Sequence, residues 1–154
     1  MIASRITAIA QIATIVNQDA RAAGTALCSY TVSPSGEQTV ATPVAPTRDD
    51  AEVAVARMRE MSTDLRGCVV LGAGGEALAA SGDLERWQEP AAVLLGAADL
   101  AGGDRAESVH VGTEDGEVFA VRHGELAMVA VSERFTLASL MLFDMRMALR
   151  ELAA

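Results

Sequence analysis

Residues able to do chemistry are few in this chain, and their spacing does not assemble them into a reactive group. The histidines are His110 and His123. His110 alternates with Val109 and Val111, which directs it away from both, toward an outer sheet face or a sheet edge, and His123 stands beside Gly124 in a turn-forming pair. Neither has a carboxylate and a second histidine at ligand spacing, so no metal site is expected, and no serine sits in a nucleophile-elbow context. Cys28 and Cys68 are too few for a disulfide scaffold and lie outside any C-x-x-C pattern, which predicts reduced thiols in a cytoplasmic protein. Cys68 reads as a small buried hydrophobe. Gly72-x-Gly74-Gly75 follows an apolar run as a phosphate loop does, but it lacks the Gly-Lys-Ser/Thr ending and leads into a second strand-like segment. It therefore reads as a hairpin turn. Glu114, Asp115, Glu117 and Glu125 crowd one turn region without the spacing of a calcium loop and read as solvated acids. Trp87 reads as a core or interface ring. These residues predict no catalytic, cofactor-binding or metal-binding site, and a protein that is not an enzyme.

Composition narrows the class further. The 154 residues are 51% hydrophobic and 21% charged, which is globular rather than disordered. That length suits one domain, able to bury roughly 70% of its unfolded surface. A net charge of −9 disfavours nucleic acid and anionic membrane surfaces as partners. With 3% aromatic residues, few rings are available for stacking on bases. Every basic side chain is arginine. No apolar run reaches 18 residues, so no membrane span is expected, and Arg5, Thr7, Gln11 and Thr14 interrupt what would otherwise resemble a secretory signal.

The elements that must position these residues come in a definite order. All five isoleucines fall in the first fifteen residues. Ile2, Ile6, Ile9, Ala13 and Val16 share one face of an amphipathic helix over residues 1–24. Residues 25–46 then form an extended connector or a hairpin around Ser33-Pro34-Ser35-Gly36, so residues 1–46 make an N-terminal extension to a domain over 47–154. That domain opens with a helix over 49–63 carrying Val53, Ala56 and Met61. Two strands follow, at 67–71 and from Ala77. Pro90 is acceptable in a first helical turn, so the next helix is expected to start at Glu89-Pro90, with Ala91, Leu94, Leu95 and Ala98 as its apolar face and an end at Gly102-Gly103. Strands at 108–112, 117–122 and 126–131 are linked by Asp115-Gly116, a type I′ signal, and by His123-Gly124. The last helix starts near Thr136. Leu137, Met141, Met145, Ala148, Leu149 and Leu152 form its core stripe, while Leu140, Phe143 and Met147 form a second apolar stripe that something should cover, the N-terminal helix being the favoured candidate.

From about residue 49 onward the chain resembles the roadblock family, the dynein light-chain-like domains that in bacteria partner Ras-like small GTPases. The residues that carry the resemblance are Gly67-Cys68-Val69-Val70-Leu71 through Gly75-Glu76-Ala77-Leu78-Ala79-Ala80-Ser81, similar to that family's opening hairpin. Residues 91–101 are similar to its central helix and 118–131 to its closing strands. The resemblance implies an α+β fold: a five-stranded antiparallel sheet with two helices on one face and one on the other, a roadblock/profilin-like sandwich. It also implies a homodimer formed through the central helix and the strand after it, which gives Ala91, Leu94, Leu95, Ala98, Val109 and Val111 as interface residues; the second stripe, Leu140, Phe143 and Met147, adds a further contact surface from its helical spacing. The function implied is a cytoplasmic adaptor for a small GTPase. The alternative is a profilin-like or PAS-like sensor of a small ligand.

Overall fold

The computed structural model of the protein describes residues 45–154. The expected N-terminal helix and nearly all of the connector lie outside the described residues.

Helix α1 (Arg48–Met61) begins at Thr47, whose hydroxyl accepts from the Asp50 N–H at 3.2 Å while the Asp50 carboxylate accepts from the Thr47 N–H at 3.0 Å. This reciprocal cap satisfies donors that the first turn leaves orphaned. Its buried residues are Ala51, Ala54, Val55 and Met58. Val53, Ala56 and Met61, the apolar residues singled out from the sequence, are exposed. The alanines win the inner face because they let the helix axis approach the sheet closely, and their 3-4 spacing is the better helical match.

Strands β1 (Leu65–Leu71) and β2 (Ala77–Ala80) form the opening hairpin. The glycine segment between them is a turn, closed by Gly75 N–H to the Gly72 carbonyl at 3.0 Å and Gly72 N–H to the Glu76 carbonyl at 2.8 Å. Strands β3 (Ser108–Thr113), β4 (Gly116–His123) and β5 (Leu126–Ser132) form the antiparallel meander, and the sheet order is β2-β1-β5-β4-β3. Side chains alternate across the sheet. Cys68, Val70, Phe119, Val121, Met128 and Ala130 meet α1 and the last helix, α3 (Ala138–Leu152). Val69, Leu71, Val118, Ala120, Val129 and Val131 meet α2 (Glu85–Gly102). The expected layering, two helices against one, is what the chain adopts.

Three local expectations are corrected. Helix α2 starts at Glu85 rather than at Glu89-Pro90, and Pro90 lies inside it. The missing proline N–H forfeits only a bond to the Arg86 carbonyl near the helix start. Starting earlier carries Trp87 onto the sheet at 2% exposure, with its indole N–H 3.3 Å from the Ser81 carbonyl. Leu137 is not in the core. It is the residue before α3 and is 65% exposed, while Met141, Met145, Ala148 and Leu149 are buried and Leu152 partly so. The β3–β4 turn is not type I′, because Thr113 pairs with Gly116 and neither central residue, Glu114 nor Asp115, has positive φ. Gly116 is required for another reason: with φ 153°, a Cβ there would lie 2.6 Å from the Ser132 carbonyl oxygen of β5. Gly124, with φ 58°, supplies the first central residue of the β4–β5 turn, as type II′ geometry requires.

Gly67 is the counterpart of Trp87, since a Cβ at 67 would stand 2.9 Å from the indole ring. Truncating that ring with Trp87→Ala should cost about 3–5 kcal/mol in denaturant unfolding, through lost burial and the cavity left behind. A loss below about 1 kcal/mol, far under that range, would show that α2 is not anchored this way.

Candidate functional site

The surfaces available for recognition follow from which parts of the sheet and helices remain uncovered. Among the described residues, strands β1, β4 and β5 each have neighbours on both sides, whereas β3 pairs only with β4 and β2 only with β1. With respect to those residues, strand β3 presents an unpaired row of backbone donors and acceptors, the arrangement that invites another strand. On its α2 side, Val109 and Val111 are half-buried against the cluster of Trp87, Ala91, Leu94 and Leu95.

The nine expected interface residues separate into two groups. Ala91, Leu94 and Leu95 are buried at 0%, 1% and 7% exposure against the chain's own sheet, with Ala98, Val109 and Val111 half-buried on the same side. Leu140 and Phe143 are exposed at 53% and 57%, with Met147 half-buried, on α3 across the sheet. The residues that α2 turns outward are Val93 and Leu100, with Ala92 and Gly96 also exposed. Their 3-4 spacing was visible in the sequence as a second stripe, masked by the stronger apolar run at 91, 94, 95 and 98.

A polar clasp holds this region in place. Asp99 of α2 receives Arg122 of β4 through both guanidinium ends, at 2.5 and 2.9 Å, and the Ala106 N–H at 2.8 Å. Arg122 also donates to the Ala106 carbonyl at 2.8 Å, and its backbone N–H donates to the Glu107 carbonyl at 2.8 Å. The end of α2 and the start of β3 are thus tied to β4. The Arg122 guanidinium, with the Ala106 N–H assisting, holds the Asp99 carboxyl below its ordinary value.

A second group gathers around Glu117, which the sequence placed among solvated acids. Its side chain is only 14% exposed and accepts from the Phe135 N–H at 2.8 Å, while its other oxygen lies 2.8 Å from His110 Nε2. The cross-strand register that pairs Gly112 with Glu117 brings His110 and this carboxylate to one face. His110 stacks on Phe119 at 4.5 Å between centroids. Phe135 has φ 64°, a conformation unusual for a bulky residue, and its ring is 86% exposed under the Arg134 guanidinium at 4.8 Å. Gly112, Thr113, Glu114, Glu117, Arg134 and Phe135 line an open depression. Arg66 anchors the neighbouring turn, donating to the Asp115 carbonyl at 2.8 Å and to both carboxylate oxygens of Glu133.

His123 is an exposed residue at the β4–β5 turn. Cys68 is buried, and burial pushes its thiol up to about 11, so it stays protonated and unreactive near neutral pH. Among the described residues, no three His, Cys, Asp or Glu side chains are grouped so as to hold a metal. No described helix is long and apolar enough to cross a membrane.

No family model and no curated protein matches the sequence. Among solved structures the fold is shared with roadblock domains. A Roadblock/LC7 domain from Streptomyces avermitilis is 13% identical, covers 65% of this chain and 92% of that one, and superposes with a TM-score of 0.51. MglB of Myxococcus xanthus is 13% identical over 69% of this chain and 86% of its own, with a TM-score of 0.53. LokiProfilin1, in a complex with rabbit actin, is 14% identical over 70% and 97%, with a TM-score of 0.51. The chain has the roadblock/profilin-like fold.

The clasp has a pH signature. Because the folded-state pKa of Asp99 is depressed, its contribution to stability is present above its unfolded value and is lost as pH falls through the folded one. Wild type should exceed Asp99→Asn in stability at neutral pH, and the gap should close as pH drops below 3.8, the ordinary aspartate value. A gap that stays constant down to the acid limb, followed by thermal unfolding, would contradict the clasp.

Proposed function

We propose that this chain is a non-enzymatic, dimeric adaptor that binds and regulates a Ras-like small GTPase in the cytoplasm. The observation that carries the reading is the fold it shares with roadblock domains and MglB, together with the small-GTPase partnership that the roadblock resemblance implies. Strand β3, without a partner on its outer edge among the described residues, and the outward side of α2 at Val93, Gly96 and Leu100 would form the dimer contact. Pairing two β3 strands satisfies the open edge and makes one sheet across two subunits. The buried Ala91, Leu94 and Leu95 and the half-buried Val109 and Val111 would act from beneath, by setting the height and angle of that surface.

The second reading is a profilin-like or PAS-like small-ligand sensor, with which the profilin-like fold is equally compatible. A sensor of that kind would hold its ligand in a lined cavity, whereas the depressions beside Glu117 and beside Leu84, Gln88 and Glu89 are open to solvent. The layered fold serves both readings, so binding must decide between them.

Two measurements do so. Light scattering behind size exclusion should give twice the 16.0 kDa chain mass at micromolar concentration. Val93→Arg, at a 43% exposed position, should give a folded monomer. Leu94→Arg would instead place a charge in the subunit core and unfold it. For the GTPase itself, the full chain should bind one nucleotide state of a Ras-like GTPase from the same genome at least about fivefold more tightly than the other, the range expected of a coupled regulator. Absence of binding to either state at high micromolar concentration would overturn the proposal.

A further inference from the structure

The two edges of the sheet differ in how their backbone groups are met. On β3, six residues long, the described residues bring no side-chain hydrogen bond to the strand's backbone. On β2, four residues long, the side chain of Gln88 meets the edge. The geometry follows from the hairpin turn. Gly72 N–H donates to the Glu76 carbonyl at 2.8 Å, so that carbonyl points toward β1. In a trans peptide the N–H points opposite to the carbonyl, and the Ala77 N–H is therefore directed away from β1, to the open side. Gln88 Oε1 accepts it at 2.6 Å, and Gln88 Nε2 donates to the Gly75 carbonyl at 2.7 Å.

Gly75 and Ala77 flank a single residue, Glu76. A carbonyl and an N–H placed on either side of one residue are the pair that a neighbouring strand engages. A primary amide carries an acceptor and donors on one planar group, so Gln88 takes the place of that neighbour. Just past the other end of β2, the Ser81 carbonyl accepts from the Trp87 indole N–H at 3.3 Å. Consecutive residues of α2 thus hold both ends of the edge. Trp87, buried against the sheet, fixes the helix, and Gln88, half-buried beside it, is delivered to the strand. Glu85 and Glu89 are exposed and line the same open depression as Gln88. A second copy approaching this edge with its own carboxylates is repelled.

A chain whose two edges both accept a strand cannot close its assembly. Pairing β3 with β3 about a two-fold axis uses one edge of each copy and turns β2 outward at both ends. A second two-fold contact at β2 then links such pairs without limit.

We infer that Gln88 is a side-chain stand-in for a strand, which seals the β2 edge against a second copy of this chain and stops growth of the sheet there. The inference rests on the two amide bonds. It holds whether the wild-type assembly is one chain or two, and whether or not the partner is a small GTPase.

The test uses the full chain. Gln88→Leu removes both bonds at nearly unchanged volume. Wild type and variant are compared by light scattering over a rising concentration series in about 1 M salt, where the Debye length is about 3 Å and the carboxylates of Glu85 and Glu89 are screened. Hydrogen–deuterium exchange is read on the same samples. Wild type should reach a plateau mass, and the variant should exceed that plateau at least about twofold, the increment of one added two-fold contact. The Ala77–Ala80 amides of the variant should gain protection as concentration rises, while β1 and β5 keep theirs. A variant that stays at the wild-type mass would show that the amide closes nothing, and overturns the inference. Growth accompanied by loss of protection in β1 and β5 would show that Gln88 holds the fold rather than the edge, and overturns it equally. Because the wild-type plateau is the reference, failure here is distinct from failure of the proposed dimer.

Discussion

Burial of the three inner strands on both faces is the constraint from which the rest of this structure follows. Val69 to Leu71 in β1, Val118 to Val121 in β4 and Leu126 to Val131 in β5 are apolar at every position, and all are buried. An antiparallel sheet with one wet face would alternate apolar and polar residues. Continuous apolar runs leave two faces to be covered, so helices must lie on both. The chain meets this with α2 on one face and α1 and α3 on the other. At roughly 25 cal/mol per Å² of apolar surface removed from water, these layers supply most of the favourable folding energy, and the ion pairs at the periphery mainly set geometry.

Covering both faces leaves function to the margins. Among the described residues, what remains open is the outer edge of β3, the outward side of α2 and the outer side of α3. Each margin is held by a fixed contact underneath. The Asp99–Arg122 clasp ties the end of α2 and the start of β3 to β4, and Trp87 against Gly67 sets the seating of α2. Glu117 ties the loop before α3 to the sheet through Phe135.

Much of this was legible in the sequence, for identifiable reasons. Strand periodicity and glycine turns at Gly72–Gly75 and His123-Gly124 placed all five strands, because these signals depend on local backbone requirements. The burial of Cys68 and Trp87 also followed from residue type. The misreadings arose where tertiary contacts outweighed local preference. Proline rules placed the start of α2 too late, since the packing of Trp87 was invisible to them. In α1 the expected residues Val53, Ala56 and Met61 turned out exposed, because the face at Ala51, Ala54, Val55 and Met58 meets the sheet. Glu117 read as a solvated acid because its partners, His110 and Phe135, arrive through strand register and a loop distant in sequence. The solvent side of α2 was hidden for a related reason, its stripe at Val93, Gly96 and Leu100 being weaker than the one it backs.

Strand β3 is the proposed meeting place of two chains. Hydrogen–deuterium exchange of the backbone amides, followed at several protein concentrations, reads this without any substitution. The outward amides of β3 should be protected, increasingly so as concentration rises, while those of the other edge strand, β2, exchange at a rate independent of concentration. Equal and concentration-independent exchange along both edges would mean that β3 stays unpaired in solution, and would contradict the proposed assembly.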